Sequence, residues 1–180
     1  MQVVSSLNRM KAWLEGLIST EKLMLKCPNK ENRADAYTLV APAVHVGYVP
    51  PNGILDQNAK IRIPCLVIGT PETNDDRDDT TITMQVTAAV YDPGNQILTP
   101  DTQKIQLLPN FDGYITLLNF LDRVKEWVLR SDVIADRFQL DSPVKLKTYE
   151  EQPWPYWYGS LAFTVSGIAA PVTRYAETLR

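Results

Sequence analysis

The chain has 180 residues, of which 44% are hydrophobic and 22% are charged, and its formal net charge is −3 at pH 7. This length and composition predict one domain with a sizeable core. The slight negative charge gives no reason to expect tight binding to a nucleic-acid backbone, which needs clustered Lys and Arg.

The first predicted element is a helix near the N-terminus, with Ser5 or Ser6 as its cap. Apolar residues recur at spacings of three and four, which places them on one helix face. They are Leu7, Met10, Leu14, Leu17 and Ile18. The pattern weakens by Cys27, and Pro28 is a natural stop. The polar residues 29–35 predict a loop.

Three strands are predicted between residues 43 and 91. The first, 43–49, ends at the turn signal of residues 50–53. The apolar run 61–68 contains Pro64, which cannot donate a ladder hydrogen bond and so indicates an edge position or a bulge. Residues 80–91 alternate, so one face is core and the other is wet or covered by polar contacts. The last two strands are expected to form a hairpin with a long acidic tip.

The second half begins with a proline-punctuated loop over residues 92–111. Asp112 or Gly113 then opens a second helix, whose broad apolar stripe indicates packing against a sheet. The stripe is assigned to Ile115, Leu118, Leu121 or Asp122, Val124 and Val128, widened by Leu117, Phe120 and Trp127. Residues 132–155 form another long connection with two short extended pieces.

The last predicted strand is Ser160 to Ser166, with Leu161, Phe163 and Val165 facing inward. The tail after Gly167 is expected to be loose or used for contacts. Helices flanking a run of mainly antiparallel strands define the α+β class. We therefore predict a single domain over residues 1–180, with a mainly antiparallel sheet packed against two helices.

Residue types that carry chemistry are sparse. Cys27 and Cys65 make no disulfide framework, so we interpret them as ordinary thiols in a reducing compartment, although a bridge between them is compatible with the sequence. His45 lies between two valines in a predicted strand, and no matched nucleophile and acid accompany it. Zinc-ligand spacing and a phosphate-cradling glycine motif are both absent from the sequence. We predict no catalytic residue, no metal and no cofactor.

An acidic cluster at the hairpin tip is the best metal candidate. It comprises Glu72, Asp75, Asp76, Asp78 and Asp79. Oxygen-bearing residues at 74, 76 and 78 resemble a calcium loop, yet Asp79 stands where that loop needs Gly and Gln85 where it needs Glu. The interpretation we favour is a solvated tip. An acidic contact loop in an assembly is the next alternative, and specific metal binding is the last.

An aromatic segment precedes the last strand. Its side chains are Trp154, Tyr156, Trp157 and Tyr158. They could form part of the core or a hydrophobic lid, or they could form a subunit contact, because aromatic residues bury large areas at interfaces. A platform for a small ligand or peptide is the third alternative.

The order of these segments resembles the tail-terminator and tail-completion proteins of long-tailed bacteriophages and prophages. The resemblance rests on the first helix, the strand around residues 63–68, the acidic hairpin leading into 86–92, the helix from Asp112, and the closing segment 155–165. It spans most of residues 5–168, as a match of pattern and order.

This resemblance implies a structural virion protein. Such proteins form a ring, commonly of six subunits, on the head-proximal end of the tail tube. The ring ends tube polymerisation and presents a surface to the head connector or neck. The implied partners are therefore further copies of the chain, the tube, the sheath if the tail contracts, and the connector, with DNA passing through without specific binding.

Further expectations concern the site and the setting. Asp75, Asp76, Asp78 and Asp79 would line the channel or form a contact loop. The protein would be made in the host bacterial cytoplasm and reside in the virion tail, without membrane contact, since no signal peptide or apolar run of about 20 residues is present. The alternatives are a head-closure or tube protein, a ligand-binding or peptide-binding module built on the aromatic segment, and an enzyme that uses the acidic tip with a metal.

Overall fold

The computed structural model describes residues 3–28, 37–49, 63–75, 80–98, 105–108, 110–141 and 143–167. These residues form two helices and ten strands. In chain order they are α1 (Val3–Thr20), β1 (Leu25–Pro28), β2 (Tyr37–Val40), β3 (Ala43–Val46), β4 (Cys65–Asp75), β5 (Thr80–Tyr91), β6 (Asn95–Leu98), β7 (Ile105–Leu108), α2 (Asp112–Arg130), β8 (Phe138–Leu140), β9 (Lys145–Thr148) and β10 (Tyr156–Gly167). The element order is that of an α+β protein, as predicted.

The main sheet has six strands in the order β3-β4-β5-β10-β8, and β9 pairs with the same edge of β10 as β8 does. Only β3 and β4 run parallel; every other pair in this sheet is antiparallel. Two small antiparallel sheets, β1–β2 and β6–β7, complete the described strands. The prediction of a mainly antiparallel sheet is therefore confirmed.

Both helices contribute to one core on one face of this sheet. Every second residue of β5 points into it and is fully buried, as the alternation predicted: Ile82, Met84, Val86, Ala88 and Val90. Leu161, Phe163 and Val165 of β10 face the same way, again as predicted. A Cβ on Gly159 would lie 2.7 Å from Leu121 Cδ1, so this glycine lets α2 approach β10 closely.

The first helix buries the predicted face but differs at both ends. Leu7, Met10, Leu14 and Ile18 are buried, and Leu17 packs against them, so the amphipathic prediction is confirmed. The predicted cap is wrong, because Ser5 and Ser6 lie inside the helix.

The helix also ends earlier than predicted, at Thr20, well before Pro28. The stop is a C-terminal cap in which Lys22 has a positive φ of 51°. The Lys22 and Leu23 amides donate to the carbonyls of Ser19 and Ile18. These bonds satisfy the last carbonyls of the helix.

The second helix starts at Asp112 as predicted, but its core face is rotated from the predicted one. The buried residues are Gly113, Leu117, Phe120, Leu121, Val124, Trp127 and Val128. Ile115 is 54% exposed and Asp122 is exposed, so their assignment to the core is wrong. The residues that were expected only to widen the stripe lie at its centre.

The position of Pro64 corrects another prediction. Strand β4 begins at Cys65, so Pro64 precedes the strand and its carbonyl accepts a hydrogen bond from the Ala43 amide. β4 lies between β3 and β5, which excludes an edge position. The irregularity in its ladder falls between Gly69 and Glu72.

The long connections contain more strand than expected. The hairpin β6–β7 lies within 92–111, which was predicted to be loop. β8 coincides with the first extended piece expected within 132–155, at residues 138–140, and β9 overlaps the second, expected at 144–146. β10 starts at Tyr156 rather than Ser160, so the aromatic segment is largely strand. The predicted loop 29–35, the turn 50–53 and the tail after Gly167 lie outside the described residues. Neither α1 nor α2 is long and apolar enough to cross a bilayer.

Candidate interaction surfaces

The sheet face opposite the helices, called the open face below, carries a second and smaller apolar cluster. Its buried members are Val49, Cys65, Val67, Ala89 and Tyr158. The prediction that this face of β5 is wet or polar is therefore wrong at the end of the strand that carries Ala89. Burial raises the pKa of the Cys65 thiol to about 12, which keeps this thiol protonated and unreactive at neutral pH. No disulfide joins it to Cys27.

Tyrosines extend this cluster across the open face. The rings of Tyr149 and Tyr158 stack with centroids 6.0 Å apart, and Tyr91 lies 5.5 Å from Tyr156. Burial raises the pKa of Tyr158 far above its usual value and also raises that of Tyr149. Burial likewise raises the pKa of Tyr91, so Tyr91, Tyr149 and Tyr158 are neutral hydrogen-bonding groups at physiological pH.

A groove of about 590 Å³ lies beside these rings. It is lined by Tyr48, Val49, Gln85, Lys147, Tyr149, Glu150, Glu151 and Ser160. Gln152 fixes one wall through its side-chain amide. The amide oxygen accepts from the Tyr158 N–H at 2.7 Å, and the amide nitrogen donates to the carbonyls of Tyr158 and Tyr149, both at 2.9 Å. Tyr48 is 71% exposed at the rim. The groove combines an aromatic wall with hydrogen-bonding groups and charges of both signs.

The structure does not gather the predicted aromatic residues on one surface. Trp157 is buried on the helix side, where it contacts Tyr114 and donates to the Asp92 carbonyl at 3.4 Å. Tyr156 and Tyr158 point to the open face, and Trp154 is 47% exposed. Strand alternation separates them, because consecutive residues of β10 face opposite sides of the sheet.

The predicted acidic residues are only partly described. Glu72 is exposed on β4, and the backbone of Asp75 pairs with Thr80 at the end of the β4–β5 ladder. Asp76, Asp78 and Asp79 lie outside the described residues, as does the Asp75 side chain. Within the described ranges, no three His, Cys, Asp or Glu side chains are grouped to hold a metal. The roles assigned to this tip stay predictions.

A partly buried ion pair that the sequence did not indicate joins the small sheet β1–β2 to the end of β5. The Lys26 ammonium lies 2.8 Å from the Asp92 carboxylate, whose side chain is 2% exposed. The other carboxylate oxygen accepts from the Gly94 amide at 3.0 Å. Lys26 also lies 5.0 Å from the centre of the Tyr37 ring. The two partners are 66 positions apart in the chain, so no local sequence pattern indicates their contact.

His45 lies on β3 beside α1, in a second groove of about 410 Å³ that Lys11 and Glu15 also line. Its Nε2 atom is buried and finds no hydrogen-bond partner among the described residues. Burial is the main cause that lowers the pKa of this histidine, and the nearby Lys11 charge adds to it. The imidazole is therefore neutral at pH 7, with one ring nitrogen unsatisfied.

The outer surface of α2 carries a second apolar stripe, which lies opposite its core face. Phe111, just before the helix, is 81% exposed, Ile115 is 54% exposed and Leu129 is 55% exposed. At 100° and 1.5 Å per residue, Phe111 and Ile115 lie about one turn apart on one side of the helix and form this stripe. Leu129 lies on the same side but about 21 Å beyond Ile115, with the exposed Asp122 between them. Among the described residues, no other element covers this stripe.

Comparison with known proteins gives no relative. No protein-family model, no curated protein and no solved structure matches the chain. Interpretation of its function therefore depends on the surfaces described above and on the resemblance in element order.

Proposed function

We propose that this chain is a structural assembly protein that caps the head-proximal end of a phage tail tube as a ring of identical subunits. In this role the ring ends tube polymerisation and joins the tail to the head connector. The α+β layout, with a helix, a β4–β5 hairpin, a second helix and a closing strand in that order, supports the proposal. It is the order on which the resemblance to tail terminators rests.

The observation that carries the proposal is the outer stripe of α2, formed by the neighbouring side chains Phe111 and Ile115. Large apolar side chains on one side of a surface helix mark a protein contact when they lie together. Partial burial of two of them would favour association by about 2 kcal/mol, which is roughly thirtyfold in affinity. This pair supports the proposal because it gives the folded subunit an exposed apolar contact.

The test is the mass of the purified protein in solution, followed by electron microscopy with and without tail tubes. We expect a discrete oligomer, or a single ring that forms only at tube ends. Long stacks of the protein would instead indicate a tube protein. A strict monomer that leaves tube ends bare would contradict the proposal.

A double variant, Phe111→Ser with Ile115→Ser, sharpens this test. It should weaken self-association by about tenfold or more while the fold, followed by circular dichroism, is retained. Asn119→Ser is the matched control, because Asn119 is exposed on the same helix. Equal association of all three proteins would show that the stripe is not the contact.

The open-face groove favours a second candidate function, a binding module. Its aromatic rim at Tyr48 and its polar side chains at Gln85 and Ser160 suit an extended peptide, which offers both apolar and hydrogen-bonding groups. Calorimetric binding of a library peptide to a monomeric wild-type chain, lost in Tyr48→Ala, would favour this function over ring formation.

A further inference from the structure

The floor of the open-face groove consists of strands that are already paired on both sides. In the register of the sheet, Ser160 of β10 lies between Thr87 of β5 and Lys147 of β9. The backbone groups of β5 and β10 are hydrogen-bonded to the neighbouring strands, so only side chains are left to contact a ligand. The groove therefore differs from a strand edge, where a peptide binds through main-chain hydrogen bonds.

Small neighbours leave the Gln85 side chain uncovered in this floor. Gln85 pairs with Gly69 on β4 and with Ala162 on β10, and neither has a side chain that reaches over it. A smaller groove of about 120 Å³, which Gly69 and Gln85 also line, continues the first one towards β4. The two grooves together cross four strands, from β4 to β9, which is about 14 Å at the usual strand spacing. This length exceeds that of a single ring-sized ligand.

The polar side chains of the floor lack partners among the described residues. Ser160 is only 7% exposed, yet its hydroxyl makes no hydrogen bond to any described residue. The Gln85 amide, which offers both donors and an acceptor, is also unbonded within the described ranges. A buried polar group without a hydrogen bond costs free energy, and a ligand that reaches the floor removes this cost. The floor therefore favours a ligand rich in neutral donors and acceptors.

The charges at the rim disfavour a strongly charged ligand. Lys147 lies on β9, Glu150 and Glu151 follow this strand, and none of the three forms an ion pair with another described residue. A polyanion would meet the two carboxylates, and a polycation would meet the ammonium. Neutral hydroxyl groups can instead accept from the ammonium and donate to the carboxylates.

Two tyrosines supply an apolar surface beside these polar groups. Tyr48 is 71% exposed at the rim, and Tyr149, which stacks on Tyr158, is half-buried in the groove. Each ring has a flat apolar face and a hydroxyl that gives a further hydrogen bond. Sugar rings match this combination, because they have an apolar face of C–H groups and hydroxyls around the edge.

We propose that the open-face groove binds a neutral oligosaccharide. Sugar units stack on Tyr48 and Tyr149, while their hydroxyls bond to the side chains of the floor and the rim. The volume of about 590 Å³ lies within the range of ligand sites, about 300–1,000 Å³. This inference rests on the binding module given above as the second candidate function and assigns it a sugar ligand in place of a peptide. It does not depend on ring formation.

Binding of the purified full chain to an array of immobilised oligosaccharides tests the site. The array contains neutral chains of glucose, galactose, mannose and N-acetylglucosamine, together with sulfated chains. We expect binding to at least one neutral chain, and calorimetry with that chain in solution then gives the affinity. Binding to no neutral chain, or to sulfated chains alone, overturns the proposal.

Two variants show whether the sugar occupies the groove. Tyr48→Ala and Ser160→Ala should each weaken binding by about tenfold or more, because each removes a contact with the ligand. Ser160→Ala should leave the free energy of unfolding almost unchanged, since the hydroxyl has no partner among the described residues. Thr164→Ala is the matched control, because Thr164 lies on the same face of β10, about 13 Å from Ser160. Equal affinity of all these proteins would place the sugar elsewhere and overturn the site.

The outcomes separate this inference from the other two proposals. A peptide that binds the wild type but not Tyr48→Ala, with no sugar bound, keeps the binding module and overturns its sugar ligand. A discrete ring that binds no sugar overturns the sugar site and leaves the ring standing. Sugar binding by a strict monomer that leaves tube ends bare supports the site and contradicts the ring.

Discussion

The two faces of the main sheet use the same strands in different ways. On the helix side, residues from β3, β4, β5 and β10 join α1 and α2 in one continuous core. On the open face, apolar burial is confined to a small cluster around Tyr158, and a polar groove takes up the space beside it. The comparison teaches that, within the described residues, apolar burial is concentrated on one face of the sheet, which therefore supplies most of their hydrophobic stabilisation.

The largest expected effect comes from a substitution on the helix side of the main sheet. Phe163→Ala removes a ring that is 2% exposed on β10 and should cost about 3–5 kcal/mol in the free energy of unfolding. Thr164→Ala, the next residue along the strand, points to the open face and should cost less than about 1 kcal/mol. Urea denaturation measures both. Similar losses for the two variants would show that the faces contribute equally.

A glycine tests how tightly the helical layer packs. A Cβ at Gly113 would lie 2.0 Å from the Trp157 indole nitrogen, so Gly113→Ala should destabilise the protein by about 3 kcal/mol. The matched control is Gly16→Ala in α1, where nothing lies within 4 Å. That change should stabilise by about 0.5–1 kcal/mol. Thermal denaturation distinguishes them, and a loss at both sites would contradict tight packing as the cause.

The open face should respond to alkaline pH through Cys65. Its thiol pKa is raised from 9.0 to about 12, so the unfolded chain releases this proton at a lower pH than the folded chain does. The contribution to stability is complete below pH 9 and is lost as the pH rises towards 12. At pH 10.5 the loss is about 2 kcal/mol. Between pH 8 and 10.5, Cys65→Ala should lose less free energy of unfolding than the wild type. Equal losses in the two proteins would show that groups other than Cys65 cause the alkaline loss of stability.

The smallest expected effect concerns the link between the two helices. The carboxylate of Glu21, just after α1, accepts from the Trp127 indole at 2.7 Å and pairs with Arg123 at 3.1 Å. Glu21→Gln keeps an acceptor for the indole but removes the charge, and should cost about 0.5 kcal/mol, whereas Glu21→Ala should cost about 1 kcal/mol. Chemical denaturation measures the difference. If neither variant lowers the free energy of unfolding, apolar packing alone holds α1 and α2 together.

The sequence predicted the parts of the fold where apolar and polar residues follow a regular period. The face of α1, the alternation of β5 and the start of α2 agree with the structure for this reason. The core face of α2 was misplaced because Ile115 and Leu118 are as apolar as the residues that are buried. Periodicity cannot choose between two apolar stripes when both are present.

The surfaces were harder to predict because they depend on distant partners. Tyr156, Trp157 and Tyr158 are all aromatic, so alternation gave no indication that Trp157 faces the helices. The contact between Lys26 and Asp92 joins segments far apart in the chain. Four separate segments line the groove on the open face and bring Tyr48 close to Tyr149 and Glu150. No short sequence motif predicts that these segments lie together.

The placement of both helices on a single side of the sheet has a consequence for any closed array of subunits. A ring built from side-by-side copies would have one surface formed by the helices and another formed by the strands. Among the described residues, the strand surface would offer the uncharged Thr83, Gln85 and Thr164 together with Lys145, Lys147 and the acidic Glu150 and Glu151. If this surface faced the channel, a nucleic acid passing through the ring would meet charges of both signs.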